Sequence, residues 1–114
     1  MIIMIFVKIF RNRLGEILGF RLTGHSGYAE EGSDIVCSAV SILTINTVNS
    51  IELFTSQGFL CDADEKNGGY LSFGLSDKGN MEQSAQLLLK TMVNGLRDIE
   101  KEYGSYISID EEVR

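Results

Sequence analysis

Proline and tryptophan are missing from this 114-residue chain, histidine occurs once and cysteine twice. The lack of proline decides nothing by itself. Two cysteines, Cys37 and Cys61, are too few for a disulfide framework. Nothing else in the chain asks for an oxidising compartment, so reduced thiols are the default. Basic residues are scarce too: 10 Lys and Arg stand against 16 Asp and Glu, a net charge of −6. A surface that tracks phosphates normally shows a basic footprint, so direct nucleic-acid binding is not expected. An acidic surface suits a basic partner instead. The apolar start, M-I-I-M-I-F-V-K, has no basic residue ahead of it, is too short to span a bilayer and precedes no small-residue cleavage site. We expect a cytoplasmic protein with no membrane partner.

What is present is ordinary for a soluble globular protein: 44% hydrophobic and 23% charged residues. The length allows one domain, residues 1–114, with a single core. Residues 2–10 are β-branched and aromatic and predict a strand covered on both faces. Turn residues at 11–15 lead into alternation over 16–24, a second strand antiparallel to the first. A loop is expected over 26–33. From Ile35 to about Ser56, apolar residues at three- and four-residue spacing predict a helix. Its stripe comprises Ile35, Val36, Ala39, Val40, Leu43, Val48, Ile51 and Phe54. Ile42 and Ile45 fall off that stripe, so the helix is apolar on more than one side.

Residues 59–64 and 70–75 predict two strands, with Asn67-Gly68 as the hairpin turn. Residues 81–103, with Asn80 as a cap, predict a cleanly amphipathic helix. A short strand over 106–110 follows, and the acidic end is expected to fray. The order β-β-α-β-β-α-β predicts an α+β two-layer sandwich: one largely antiparallel sheet with two helices packed on it.

The chemistry concentrates in G-H-S-G-Y-A-E-E-G-S-D-I-V-C-S-A-V-S, residues 24–41. His25 stands at a strand end, Gly27 and Gly32 punctuate the loop, and Cys37 opens the helix. With Ser33 or Asp34 as the N-cap, Cys37 occupies the first turn, where the helix dipole favours a thiolate. A histidine within reach completes a nucleophile pair, and first-turn amides offer an oxyanion site. The competing reading is inert packing, since cysteine is among the most buried residue types. Cys61, inside a strand without a basic neighbour, reads as structural. Asp34 reads either as a cap or as the group that orients an imidazole. His25, Cys37 and Cys61 lack the close-spaced pairs of a zinc site, and no nucleotide-binding glycine motif is present. No metal and no cofactor are expected.

The stretch from Gly24 to Ser41 closely resembles the G-H-[AS]-x-x-x-x-x-G-x-D-I-V-C-A-A-x-S pattern of the ribosomal-processing cysteine protease Prp family. N-G-G-Y (67–70) and residues 86–103 extend the likeness. The resemblance implies a cysteine endopeptidase that removes the N-terminal extension of large-subunit ribosomal protein number twenty-seven, cutting after a small residue preceded by aromatic or apolar ones. It implies Cys37 as nucleophile, His25 as general base and Asp34 in the place of the family's aspartate. It also implies a substrate-responsive loop from Ser26 to Ser33, with Gly24, Ser26, Gly27, Gly32 and Ser38 as substrate-binding or loop residues, and a homodimer. Ser26 and Ser38 depart from the commoner alanines without removing a catalytic atom. A reading from another class stays open here: a non-enzymatic, ribosome-associated binding or assembly factor that uses the small acidic surface.

Overall fold

A computed structural model describes residues 4–24, 31–64 and 70–114, with the backbone alone for 31–34. Its elements are β1 (Ile5–Arg11), β2 (Ile17–Thr23), α1 (Glu31–Phe54), β3 (Phe59–Asp64), β4 (Tyr70–Leu75), α2 (Gln83–Tyr103) and β5 (Ile107–Val113). The five strands form one sheet in the order β3-β4-β2-β1-β5. Three neighbouring pairs are antiparallel, and β1 with β5 is parallel. The expected β-β-α-β-β-α-β sandwich is the one observed.

Local chemistry explains the elements. Between β1 and β2, the Asn12 side-chain oxygen accepts from the amides of Leu14 and Glu16, both at 3.0 Å, and Gly15 takes φ +83°. A bulge between Phe10 and Arg11 follows. On the inner face Ile5, Val7, Ile9, Phe20, Leu22 and Phe73 are buried against residues of both helices. Phe20 and Phe73 stack across β2 and β4 with centroids 5.2 Å apart. Buried Gln86 of α2 treats Ile17 as a strand neighbour would. Its Oε1 accepts the Ile17 N–H and its Nε2 donates to the Ile17 carbonyl, each at 2.8 Å. One side chain thereby satisfies both buried backbone groups at the start of β2.

Several expectations need correction. The acidic end does not fray: β5 runs to Val113 alongside β1, and Arg97 and Arg11 both bind Glu111. Glu100 also accepts the Ile109 amide at 3.0 Å, covering part of that sheet edge. Asn80 does not cap α2. Glu82 is the N-cap and makes no side-chain cap bond. Its backbone amide donates instead to buried Gln57 at 2.8 Å. Helix α1 starts at Glu31 and stops at Phe54, so Ser33 and Asp34 are helical residues and not caps. Gly32, expected in the loop, lies in the first turn, where a weak helix former costs least because amides there need no helical acceptor. Ile35 and Phe54, expected in the core, are exposed. The hairpin turn at Asn67-Gly68 lies outside the described residues.

Helix α1 is long and apolar enough to cross a membrane by length and composition. Here one side of it is core: Val36, Val40, Val48 and Ile51 are buried, and buried Thr44 turns its hydroxyl back onto the Val40 carbonyl at 2.8 Å.

Candidate active site

The topology sends several elements to one end of the sheet. β2 ends there at Thr23, while β1, β4 and β5 start there. Gly24 is the pivot. It has φ +81°, a region that favours glycine, and a Cβ at this position would run into the Met4 carbonyl. Only glycine lets the chain leave the sheet at this point and continue into residue 25.

Cys37 sits on α1 with 6% exposure, in one core cluster with Ile5, Leu22, Val36, Val40 and Ile107. Because α1 begins at Glu31, Cys37 is its seventh residue and lies in the second turn. Its amide is therefore within the helical ladder, and the unsatisfied amides belong to residues 31–34. The dipole's help falls off within the first turn, so the helix start supplies less than the sequence led us to expect. Ser38 is exposed. Ser41, the last residue of the motif, follows Cys37 by one helical turn on the same face and is half-buried.

His25, Ser26 and Gly27 lie outside the described residues, as does the side chain of Asp34. The described residues place Gly24 at the end of β2 and Cys37 on the second turn of α1, followed by exposed Ser38. Six residues, 25–30, join the two elements.

Cys61 provides an internal contrast. It is exposed on edge strand β3. Its thiol is nevertheless pushed above the ordinary cysteine value, first by partial desolvation and then by the Asp62 carboxylate. A raised pKa leaves less thiolate at neutral pH, so exposure does not make Cys61 a good nucleophile. Neither cysteine is in a disulfide. Among the described residues, no group of three or more His, Cys, Asp or Glu side chains is placed to hold a metal ion.

Comparisons with known proteins point the same way. Residues 4–108 match the family model described as cysteine protease Prp. The chain is 36% identical over 102 residues to the ribosomal processing cysteine protease Prp of Bacillus subtilis, covering 88% of this chain and 90% of that one. It is 36% identical over 107 residues to the protein of the same name from Staphylococcus aureus, covering 94% and 98%. Among solved structures, a Streptococcus mutans protein superposes with a TM-score of 0.88 at 29% identity, covering 97% of this chain and 99% of the other. A Staphylococcus aureus Prp in complex with a substrate peptide superposes with a TM-score of 0.87 at 33% identity, covering 96% and 100%.

Proposed function

Since this chain belongs to the Prp family of ribosomal-processing cysteine proteases, we propose that it removes the N-terminal extension of large-subunit ribosomal protein number twenty-seven, with Cys37 as nucleophile and His25 as general base. The observation that supports the residue assignment is the closeness of the two elements in the chain. Gly24 closes β2, and Cys37 follows on the second turn of α1, only a short connection later, which supports reading His25 and Cys37 as one site.

In this mechanism His25 takes the thiol proton, and the Cys37 sulfur attacks the scissile carbonyl carbon. His25 then protonates the leaving amine, and water hydrolyses the acyl-enzyme with the histidine again as base. The second-turn position of Cys37 makes the imidazole, more than the helix dipole, the source of thiolate. Asp34 belongs to the first turn of α1, where we assign it a role in orienting His25. Gly27 and the neighbouring Ser26 would let the segment adjust to substrate, and Gly32 would anchor it in the helix.

We further infer a cytoplasmic enzyme that acts as a homodimer. The acidic surface suits a basic ribosomal substrate. Ile35, Ile42, Ile45, Leu53 and Phe54 are exposed on α1, a pattern that suits a second copy packed along this helix. The test is cleavage of a peptide that spans the extension and its junction, by the native chain, Cys37→Ala and His25→Ala. We expect turnover by the native chain alone. Cleavage at the native rate by either variant would overturn the assignment.

A further inference from the structure

On the outer face of the sheet, away from the helices, register aligns side chains in rows. One row crosses β3, β4, β2 and β1 as Leu60, Gly74, Gly19 and Phe10. The paired glycines leave its middle bare, and a groove of about 380 Å³ opens there. Leu60, 74% exposed, stands on one side. Phe10 stands on the other, with the Arg114 guanidinium 3.7 Å from its ring centroid. Arg21 bounds the groove one row toward the catalytic end, and Lys78 bounds it beyond the end of β4.

The two glycines differ in what explains them. A Cβ on Gly19 would collide with the Phe73 carbonyl, so packing of β2 against β4 requires that glycine. A Cβ on Gly74 would meet nothing within 4 Å, and its φ is not positive. Glycine inside a strand weakens it and often marks a bulge, a bend, or the close approach of a ligand or another backbone; β4 keeps an unbroken register through Gly74 on both sides. Charge supplies the second observation. Among the described residues, Arg21 and Lys78 make no ion pair, whereas Arg114 is held by Glu112 at 2.7 Å. Asp62 is the one acid in the lining. With Arg114 paired to Glu112 and Asp62 set against Arg21 and Lys78, the lining keeps one net positive charge in a chain of charge −6, a balance that suits a single small anion.

We propose that this groove binds a nucleoside monophosphate. The base would lie flat on the Gly19–Gly74 floor between Leu60 and Phe10, whose strands are about 14 Å apart at three strand spacings. The phosphate would be taken by Arg21, whose planar fork matches its oxygens, with Lys78 adding charge. A polynucleotide fits less well, because Asp62, Asp64, Asp110 and Glu112 share this face by register and would repel flanking phosphates. The site is separate from proteolysis, since Gly19 lies about 17 Å along β2 from Gly24.

Calorimetric titration of the full chain with AMP and GMP tests this, beside adenosine, inorganic phosphate and an octa-adenylate. A mononucleotide should bind with a Kd at or below about a millimolar, and adenosine and phosphate at least about tenfold more weakly. Gly74→Val fills the floor, and valine favours strands, so the melting temperature should hold or rise while affinity falls about tenfold or more. Arg21→Gln should weaken AMP but not adenosine. Unchanged AMP affinity in Gly74→Val, no mononucleotide binding, or an octa-adenylate that binds more tightly than AMP would each overturn the proposal.

Discussion

Helices α1 and α2 lie on the same face of the sheet and pack against each other, with Leu43 of α1 lodged beside Gly95 of α2, yet they present different surfaces. Helix α2 buries Ala85, Leu89, Met92, Val93 and Leu96 and turns a largely polar side outward. It ties the sheet together through Gln86 to β2 and through Arg97 and Glu100 to β5. Helix α1 buries a comparable stripe but leaves five large apolar side chains in solvent, with Ile42 70% exposed. It also carries Cys37. The contrast separates a scaffold helix, with Leu87 as its single large exposed apolar side chain among the described residues, from a helix whose outer face the monomer leaves uncovered. Substitutions on α1 should therefore change function or association, and those on α2 should change stability.

The largest effect expected is on α1. Cys37→Ala should lower peptide cleavage by about a thousandfold or more, as loss of a covalent nucleophile does, with little change in melting temperature. A variant that unfolds along with its loss of activity would erase the distinction between the helices. The two thiols sharpen the same point. With the native chain, alkylation near neutral pH followed by peptide mass mapping should modify Cys37 faster than Cys61, although Cys61 is the exposed one. Faster labelling of Cys61 would mean that exposure and not environment governs reactivity here.

On α2, Gln86→Leu strands the N–H and carbonyl of Ile17 in the core. Each unsatisfied group costs about 1–3 kcal/mol, so denaturant unfolding should show a loss of about 2–4 kcal/mol with activity per folded molecule retained. A smaller expected effect lies where α2 meets β5. Hydrogen bonds from Arg11 and then Arg97 hold the Glu111 carboxyl below its ordinary 4.5. A depressed folded pKa contributes stability above the unfolded value, lost as pH falls through the folded one. Arg11→Gln should therefore destabilise by up to about 1 kcal/mol near neutrality. Its gap in melting temperature from the native chain should close as pH drops below 4.5. A gap independent of pH would show that Arg11 acts by packing alone. Smallest for the folded monomer is Ile42→Asp, within about 0.5 kcal/mol as for surface changes generally. Sedimentation should nonetheless show a dimer becoming a monomer, and an unchanged mass would remove α1's outer face from the interface.

Element order and type were legible because their signals are local. Period-two alternation marked β2, three-four spacing marked both helices, and Asn12 with Gly15 marked the first turn. Helix starts were not. Asp34 and Asn80 have capping chemistry, but α1 begins three residues before Asp34 and α2 begins after Glu82, whose amide finds Gln57 from the connection between α1 and β3. The frayed end was misread for a related reason. D-E-E-V-R looks solvated in isolation. It becomes a strand because Lys8, Arg11 and Arg97 converge on its carboxylates from β1 and α2.

At the candidate site, the motif in the chain nominates His25, Gly24 and Cys37 through local chemistry and spacing, and the fold places Gly24 and Cys37. Three features depend on tertiary structure: Cys37 in the second turn, the collision that makes Gly24 obligatory, and the bare floor at Gly19 and Gly74. Each arises from strands and helices meeting across long sequence separations, and those approaches are determined by packing and backbone pairing rather than by neighbours in the chain.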